Sequence, residues 1–184
     1  MSYFAVIDTE TTWDDQVMSI GIVIAETQTF RPVDKKYYVL TPEYKIGGMY
    51  EGVLNVRGKD TILCKRDCAM ESIKTLLNAY MVTRIFAYNA RFDYGHLPEL
   101  TCYAWYDIMA KAAYRQTNPA IPEDAPCCST GRLKKGYGVE CMLRLLSGKP
   151  NYYEIHNAVE DAVDELEIMR LLGIAVCDYE TINP

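Results

Sequence analysis

The first apolar run, "YFAVI" at residues 3 to 7, is continuous and shorter than the roughly 10–12 residues of an ordinary helix, so it predicts a strand buried on both faces. "SIGIVIA" (19 to 25) is a second such run, rich in β-branched residues. A third, "KKYYVL" (35 to 40), ends at "TPEY", where Pro42 has no N–H to continue a ladder. The polar link "TETTWDDQVM" between the first two is short, so the three strands predict an antiparallel meander. Gly47, Gly48, Gly52 and Gly58 then mark an irregular excursion.

Beyond it the period lengthens. In "CAMESIKTLLNAYMV" the positions Ile73, Leu76, Leu77 and Tyr80 recur at helical spacing, and "RIFAYNA" (84 to 90) returns to a short strand. Pro98 in "HLPEL" interrupts any helix begun near Arg91, and "CYAWY" (102 to 106) predicts a fifth strand reaching Asp107. "IMAKAAYRQT" reads as helical, and "GRLKKGYGVECMLRLLSGKP" as helical over part of its length, stopping at Gly148 and Pro150. "NAVEDAVDELEIMRLLG" puts Ala158, Val159, Ala162, Leu166 and Met169 or Leu172 on one face, with Gly173 as the stop. Three strands followed by alternating helices and strands predict an α/β fold with a mixed sheet, in a single domain over residues 1 to 184.

Composition narrows the class. With 49% hydrophobic and 24% charged residues and no low-complexity tract, the chain buries its own core and is not disordered. No apolar run approaches the roughly 18 residues of a membrane span, and "MSYFAVIDTE" lacks a basic leader, so a cytoplasmic protein without membrane association is expected. Seven cysteines, an odd number without a secretory signal, predict reduced thiols, and their spacing lacks the CxxC pairs of a structural zinc site. A net charge of -6 disfavours a passive nucleic-acid binder; a polyanionic partner would need divalent cations or a local basic patch.

The acids at element boundaries carry the chemistry. Asp8 and Glu10 follow the first apolar run, and on an extended chain residues two apart face the same way. Two carboxylates at the end of a buried strand are costly unless protonated or bridged by a cation. Asp93 follows the strand at 84 to 88 in "YNARFDY", with Asn89 beside the small Ala90. In "HNAVED", Asn157 and Glu160 have the spacing of a capping box, which starts a helix at Asn157 and puts His156 at N′ and Asp161 at N4. Those two positions meet across a helix start, so an imidazole and a carboxylate are brought together. Each motif alone has an ordinary turn or cap explanation.

In combination, "FAVIDTETT", "AYNARFD" and "HNAVEDA", the last with His, four residues, then Asp, resemble the DEDDh branch of the DEDD 3′-to-5′ exonucleases, relatives of polymerase proofreading subunits. The resemblance runs from about residue 4 to about residue 172 and takes in "WYDIMAKAAYR" and "GRLKKGYGVECMLRLL". It implies a ribonuclease-H-like fold: a five-stranded mixed sheet, three antiparallel strands first, flanked by helices. It also implies that Asp8, Glu10, Asp93 and Asp161 hold two divalent cations, Mg²⁺ or Mn²⁺, and that the chain hydrolyses terminal phosphodiesters of DNA or RNA, releasing nucleoside monophosphates. On that reading His156 is the general base, since an unperturbed pKa of roughly 6.5 lets it take a proton near neutrality. The partner is a single-stranded 3′ end, with a polymerase or a second copy of the chain as further possibilities.

Thr9, Thr11, Asn89, Trp13 and Met18 are the substrate-contact candidates, the last two as wedges. Arg91, Arg132, Lys134, Lys135 and Arg144 are phosphate candidates, although most such side chains are simply solvated. Trp105 and Tyr94, Tyr103 and Tyr106 are expected to pack rather than stack on bases, and His96 to lie on a helix surface. Two features depart from the family: Trp13 where many relatives have Gly, and the excursion from 47 to 59. The competing functions are a non-catalytic nucleic-acid or polymerase-binding module and a hydrolase of very short oligonucleotides.

Overall fold

The protein is described by a computed structural model over residues 2–182. Six strands, β1 (Tyr3–Thr11), β2 (Val17–Glu26), β3 (Pro32–Leu40), β4 (Thr61–Cys64), β5 (Arg84–Ala87) and β6 (Ala104–Asp107), form one sheet in the order β4-β3-β2-β1-β5-β6. The first three are antiparallel neighbours, whereas β5 joins β1, β6 joins β5 and β4 joins β3 in parallel. The helices are α1 (Arg66–Ala79), α2 (Arg91–His96), α3 (Met109–Ala112), α4 (Val139–Ser147) and α5 (Ala158–Leu172).

Three expectations are corrected. The sheet has six strands, not five: "TILC" at the end of the glycine-marked excursion pairs with β3, from Tyr37↔Thr61 to Leu40↔Cys64. Its Ile62 and Leu63 stay exposed, so no buried apolar period announces it. The first strand does not stop at residue 7, because pairing with β2 continues through Asp8↔Gly21 and Glu10↔Ser19. The acids therefore sit within the strand. Finally, "IMAKAAYRQT" forms only the single turn of α3, because Tyr114 bridges to Arg132 and the Leu133 N–H donates to the Ala113 carbonyl at 3.0 Å, drawing the chain away.

Both sheet faces are covered. Ala5 and Ile7 of β1 pack with Ile20, Ile22 and Ile24 of β2 and with Ala69, Met70, Ile73 and Leu77 of α1. Phe4 and Val6 face the other way, against Met142 and Leu143 of α4 and Ala162, Leu166 and Met169 of α5. This alternation is why β1 reads as a continuous apolar run. Gly21 sets the approach of α5: a Cβ there would lie 2.1 Å from the Ala158 carbonyl oxygen and 2.3 Å from the Val159 nitrogen. The start of α5 thus rests directly on the β2 backbone at the residue paired with Asp8.

The N-cap of α5 is Asn157, as its sequence predicts, but the capping box does not form. The Asn157 amide donates instead to the Val53 carbonyl at 2.8 Å, and Glu160 pairs with Lys35 at 3.2 Å. Gly148 and Gly173 end α4 and α5 in the left-handed conformation, where glycine has no side chain to strain.

Candidate metal centre and active site

Asp8 and Glu10 continue the parity of Phe4 and Val6, so they face the layer that α5 covers. There α5 presents Asp161 in its first turn, 4% exposed. From the other side α2 supplies Asp93, 2% exposed, whose Oδ1 accepts a hydrogen bond from Thr9 Oγ1 at 2.8 Å. His156 precedes the helix with a φ of 59°, a left-handed backbone that turns its ring onto Tyr50, stacked at 4.2 Å between centroids. Asp8, Glu10, Asp93, Asp161 and His156 all line one cavity of about 320 Å³ at the carboxyl end of β1, where the antiparallel and parallel parts of the sheet meet. Single ligand atoms of Glu10, His156 and Asp161 lie within 4.8 Å of one another.

The electrostatics of this arrangement are unfavourable to the protein alone. Burial, reinforced by Asp93, Asp161 and Glu10, holds the Asp8 carboxyl well above its ordinary range. Burial and the neighbouring Asp161 and Glu154 push Glu10 up to about 8, and burial with Glu154 and Asp164 does the same to Asp161, also to about 8. Asp93 is raised by burial too, partly offset by its bond from Thr9. Asp8 Oδ2 and Asp161 Oδ1 are shielded from solvent with no hydrogen-bond partner among the described residues. Carboxylate oxygens left without donors in a cluster of like charge suit hard divalent cations, which take oxygen ligands.

Two further acids lie at or behind the site, and sequence reasoning missed both. Glu154 lines the cavity, with Oε2 4.0 Å from His156 Nδ1. Its N–H donates to Glu140 Oε2 at 3.1 Å, and Arg144 holds Glu140 at 2.8 Å and the Tyr152 carbonyl at 2.7 Å, fixing the loop to α4. No periodicity marks such a loop position. Glu165 lies one helical turn after Asp161, 1% exposed, with Oε2 unpartnered among the described residues. Burial, with Asp8 and Asp93 nearby, holds it well above the usual carboxylate range. Its signal was present in the sequence: an acid four residues from Asp161, inside the apolar stripe of α5.

Of the substrate-contact candidates, Thr9, Thr11 and Asn89 line the cavity, Asn89 at a φ of 62° with its N–H on Asp107 Oδ1. Trp13 stands exposed outside the lining. Met18 is fully buried beneath Gly48, so it cannot wedge a nucleotide; it sits where the β1–β2 register shifts between Glu10 and Thr11, with its side chain covered by the excursion. Met49 and Phe92 are exposed apolar residues on the cavity wall. Trp105 is in the core, Tyr106 stacks on Phe86, and His96 pairs with Asp15 at 3.1 Å. Arg91, Arg132, Lys134, Lys135 and Arg144 do not line the cavity.

No protein-family model matches the sequence, and no curated protein sequence does. Solved structures do match in fold. The nuclease domain of 3′hExo, described as a DEDDh family member and bound to rAMP, is 11% identical with a TM-score of 0.70, covering 99% of this chain and 96% of that one. A 3′-exonuclease in 3′-end-specific recognition of a histone mRNA stem-loop is 13% identical with a TM-score of 0.69, covering 98% and 85%. The zinc-ion-bound complex of E. coli ExoI with single-stranded DNA is 16% identical with a TM-score of 0.59, covering 94% of this chain and 40% of that one. The chain therefore has the ribonuclease-H-like fold of the DEDDh 3′-exonucleases.

Proposed function

We propose that this chain, sharing the fold of DEDDh 3′-exonucleases, is itself a divalent-metal-dependent 3′-to-5′ exonuclease that releases nucleoside 5′-monophosphates from single-stranded ends of DNA or RNA. The observation that carries the reading is the convergence of Asp8, Glu10, Asp93, Asp161 and His156, from four separate segments, on one cavity.

In this reading Asp8 would help hold both ions, Glu10 and Asp161 would help hold one, and Asp93, whose Oδ1 accepts from Thr9, would help hold the other. Two such ions, Mg²⁺ or Mn²⁺, would when bound supply charge stabilisation for an in-line displacement at phosphorus. His156 takes the proton of the attacking water as its oxygen bonds to phosphorus and the bond to the 3′ oxygen breaks. Tyr50 holds the imidazole by stacking, and Glu154 faces its Nδ1, which favours a tautomer with Nε2 free to accept. Met49 and Phe92 give the terminal base an apolar wall, and Thr9, Thr11 and Asn89 give its sugar and phosphate polar contacts.

The test is a panel of 5′-labelled DNA and RNA strands incubated with Mg²⁺, Mn²⁺ or chelator. Shortening by single nucleotides from the 3′ end, abolished by chelator and in Asp8→Ala, is expected. Binding without shortening would replace this reading with a non-catalytic module, and activity confined to the shortest strands would replace it with an oligonucleotide hydrolase.

A further inference from the structure

Two residues that line the catalytic cavity, Tyr88 and Glu154, are tied to the start of α4. The Tyr88 hydroxyl donates to the carbonyl of Tyr137, and the Glu154 N–H donates to Glu140 Oε2 at 3.1 Å. Each tie brings an exposed tyrosine to the cavity's edge: Tyr137 itself, 36% exposed, and Tyr153, the chain neighbour of Glu154, 71% exposed. Each ring is backed by a guanidinium. Arg132 Cζ lies 4.9 Å from the centroid of Tyr137, and Arg144 Cζ lies 5.0 Å from that of Tyr153. Arg144 is itself fixed, by Glu140 at 2.8 Å and the Tyr152 carbonyl at 2.7 Å, so the second ring has a firm support. Neither ring belongs to the hydrophobic core.

We propose that Tyr137 and Tyr153 form a stacking platform for the unpaired bases that follow the terminal nucleotide of a single strand. The proposal rests on the exonuclease reading for which end of the strand occupies the cavity. A cavity of about 320 Å³ takes the end of a strand, and the chain beyond it has to cross a rim. At this rim no wall intervenes, because Tyr88 and Glu154 are both cavity lining and the attachment points of the segments that carry the two tyrosines. Charge does not carry the recognition. Arg132, Lys134, Lys135 and Arg144 are offset by Glu140 and by Glu123 and Asp124, on the loop reached through the bond from the Lys134 N–H to the Pro126 carbonyl at 3.0 Å. An exposed ring with an arginine on one face offers the other face to a base of any sequence, since every base has a π-face. Bases inside a duplex are already stacked on one another, so the platform selects unpaired strands. An acidic protein thereby holds a polyanion by its bases.

The experiment is fluorescence anisotropy, in Mg²⁺, of a 5′-labelled 20-mer single strand and of a blunt duplex of the same length, with phosphorothioates at the 3′ ends to slow hydrolysis. Hydrolysis of the unmodified strand is measured alongside. Wild type is compared with Tyr137→Ala/Tyr153→Ala and with Tyr137→Phe/Tyr153→Phe. Both side chains are exposed and the Tyr88 bond goes to a backbone carbonyl, so both variants keep the fold, checked by melting temperature. The alanine variant is expected to bind the single strand at least about tenfold more weakly, the size of a lost base stack. The phenylalanine variant keeps wild-type binding, and the duplex binds all three proteins alike. Equal single-strand binding by wild type and the alanine variant, no binding by wild type, the same loss in the phenylalanine variant, or an equal loss on the duplex would each overturn the platform. Weaker single-strand binding by the alanine variant alone, with no hydrolysis by wild type, would leave the platform standing and remove the exonuclease reading instead.

Discussion

Replacing Glu10 by glutamine should stabilise the metal-free protein at alkaline pH, although most substitutions at buried sites destabilise. Glu10 is 9% exposed and its carboxyl is raised from 4.5 to about 8, first by burial and then by Asp161, Glu154 and Asp93. An acid with a higher pKa folded than unfolded binds more protons in the native state between those two values, so stability falls as pH rises from 4.5 to about 8. At about 1.36 kcal/mol per pH unit the full cost is of order 5 kcal/mol above pH 8. Glutamine removes the charge but leaves an amide to be satisfied, so a gain of about 2 kcal/mol is expected. Urea unfolding in chelator at pH 5.5 and 8.5 measures it: wild type weakens at the higher pH, Glu10→Gln weakens less, and saturating Mg²⁺ restores wild type most. A wild-type stability flat across that window, or a variant less stable than wild type at pH 8.5, would refute the reasoning.

Three further outcomes follow from the same geometry. Gly21→Ala drives a methyl into the Ala158 carbonyl, so a loss of roughly 2 kcal/mol is expected, with nuclease activity falling further than stability because α5 carries Asp161; an unchanged melting temperature would contradict the close approach. His156→Gln should lower kcat by about 10²–10⁴ while Mn²⁺ binding, followed by calorimetry, persists. Thr9→Val removes the bond to Asp93 at 2.8 Å and should weaken the response to metal, read as a higher Mg²⁺ concentration for half-maximal rate.

The parts of this fold legible in the sequence are those where burial imposes a period. The central strands lie between two layers and α5 packs one face on the sheet, so their apolar runs and stripe declare them, and the left-handed stop at Gly173 follows from glycine's freedom there. Strand β4 was hidden because it is a short edge whose Ile62 and Leu63 face solvent; its pairing with β3 is decided by the sheet, not by its own residues. At the site, the spacing of Asp8 and Glu10 on one strand and of His156 and Asp161 across one helix start was readable because local geometry fixes both. Glu154 was not, since Arg144 and Glu140 bring its loop in from α4 through interactions that no spacing encodes. Met18 misled for the opposite reason: proximity to Asp8 along the chain says nothing about which way a residue of the adjacent strand faces, and here the excursion covers it.

The measurement that reaches the centre of this account is anomalous diffraction from crystals grown with Mn²⁺. Peaks within coordination distance of Asp8, Glu10, Asp93 and Asp161, absent in Asp8→Asn, are expected. Density for manganese elsewhere on the protein, with that cavity empty at saturating ion, would contradict it.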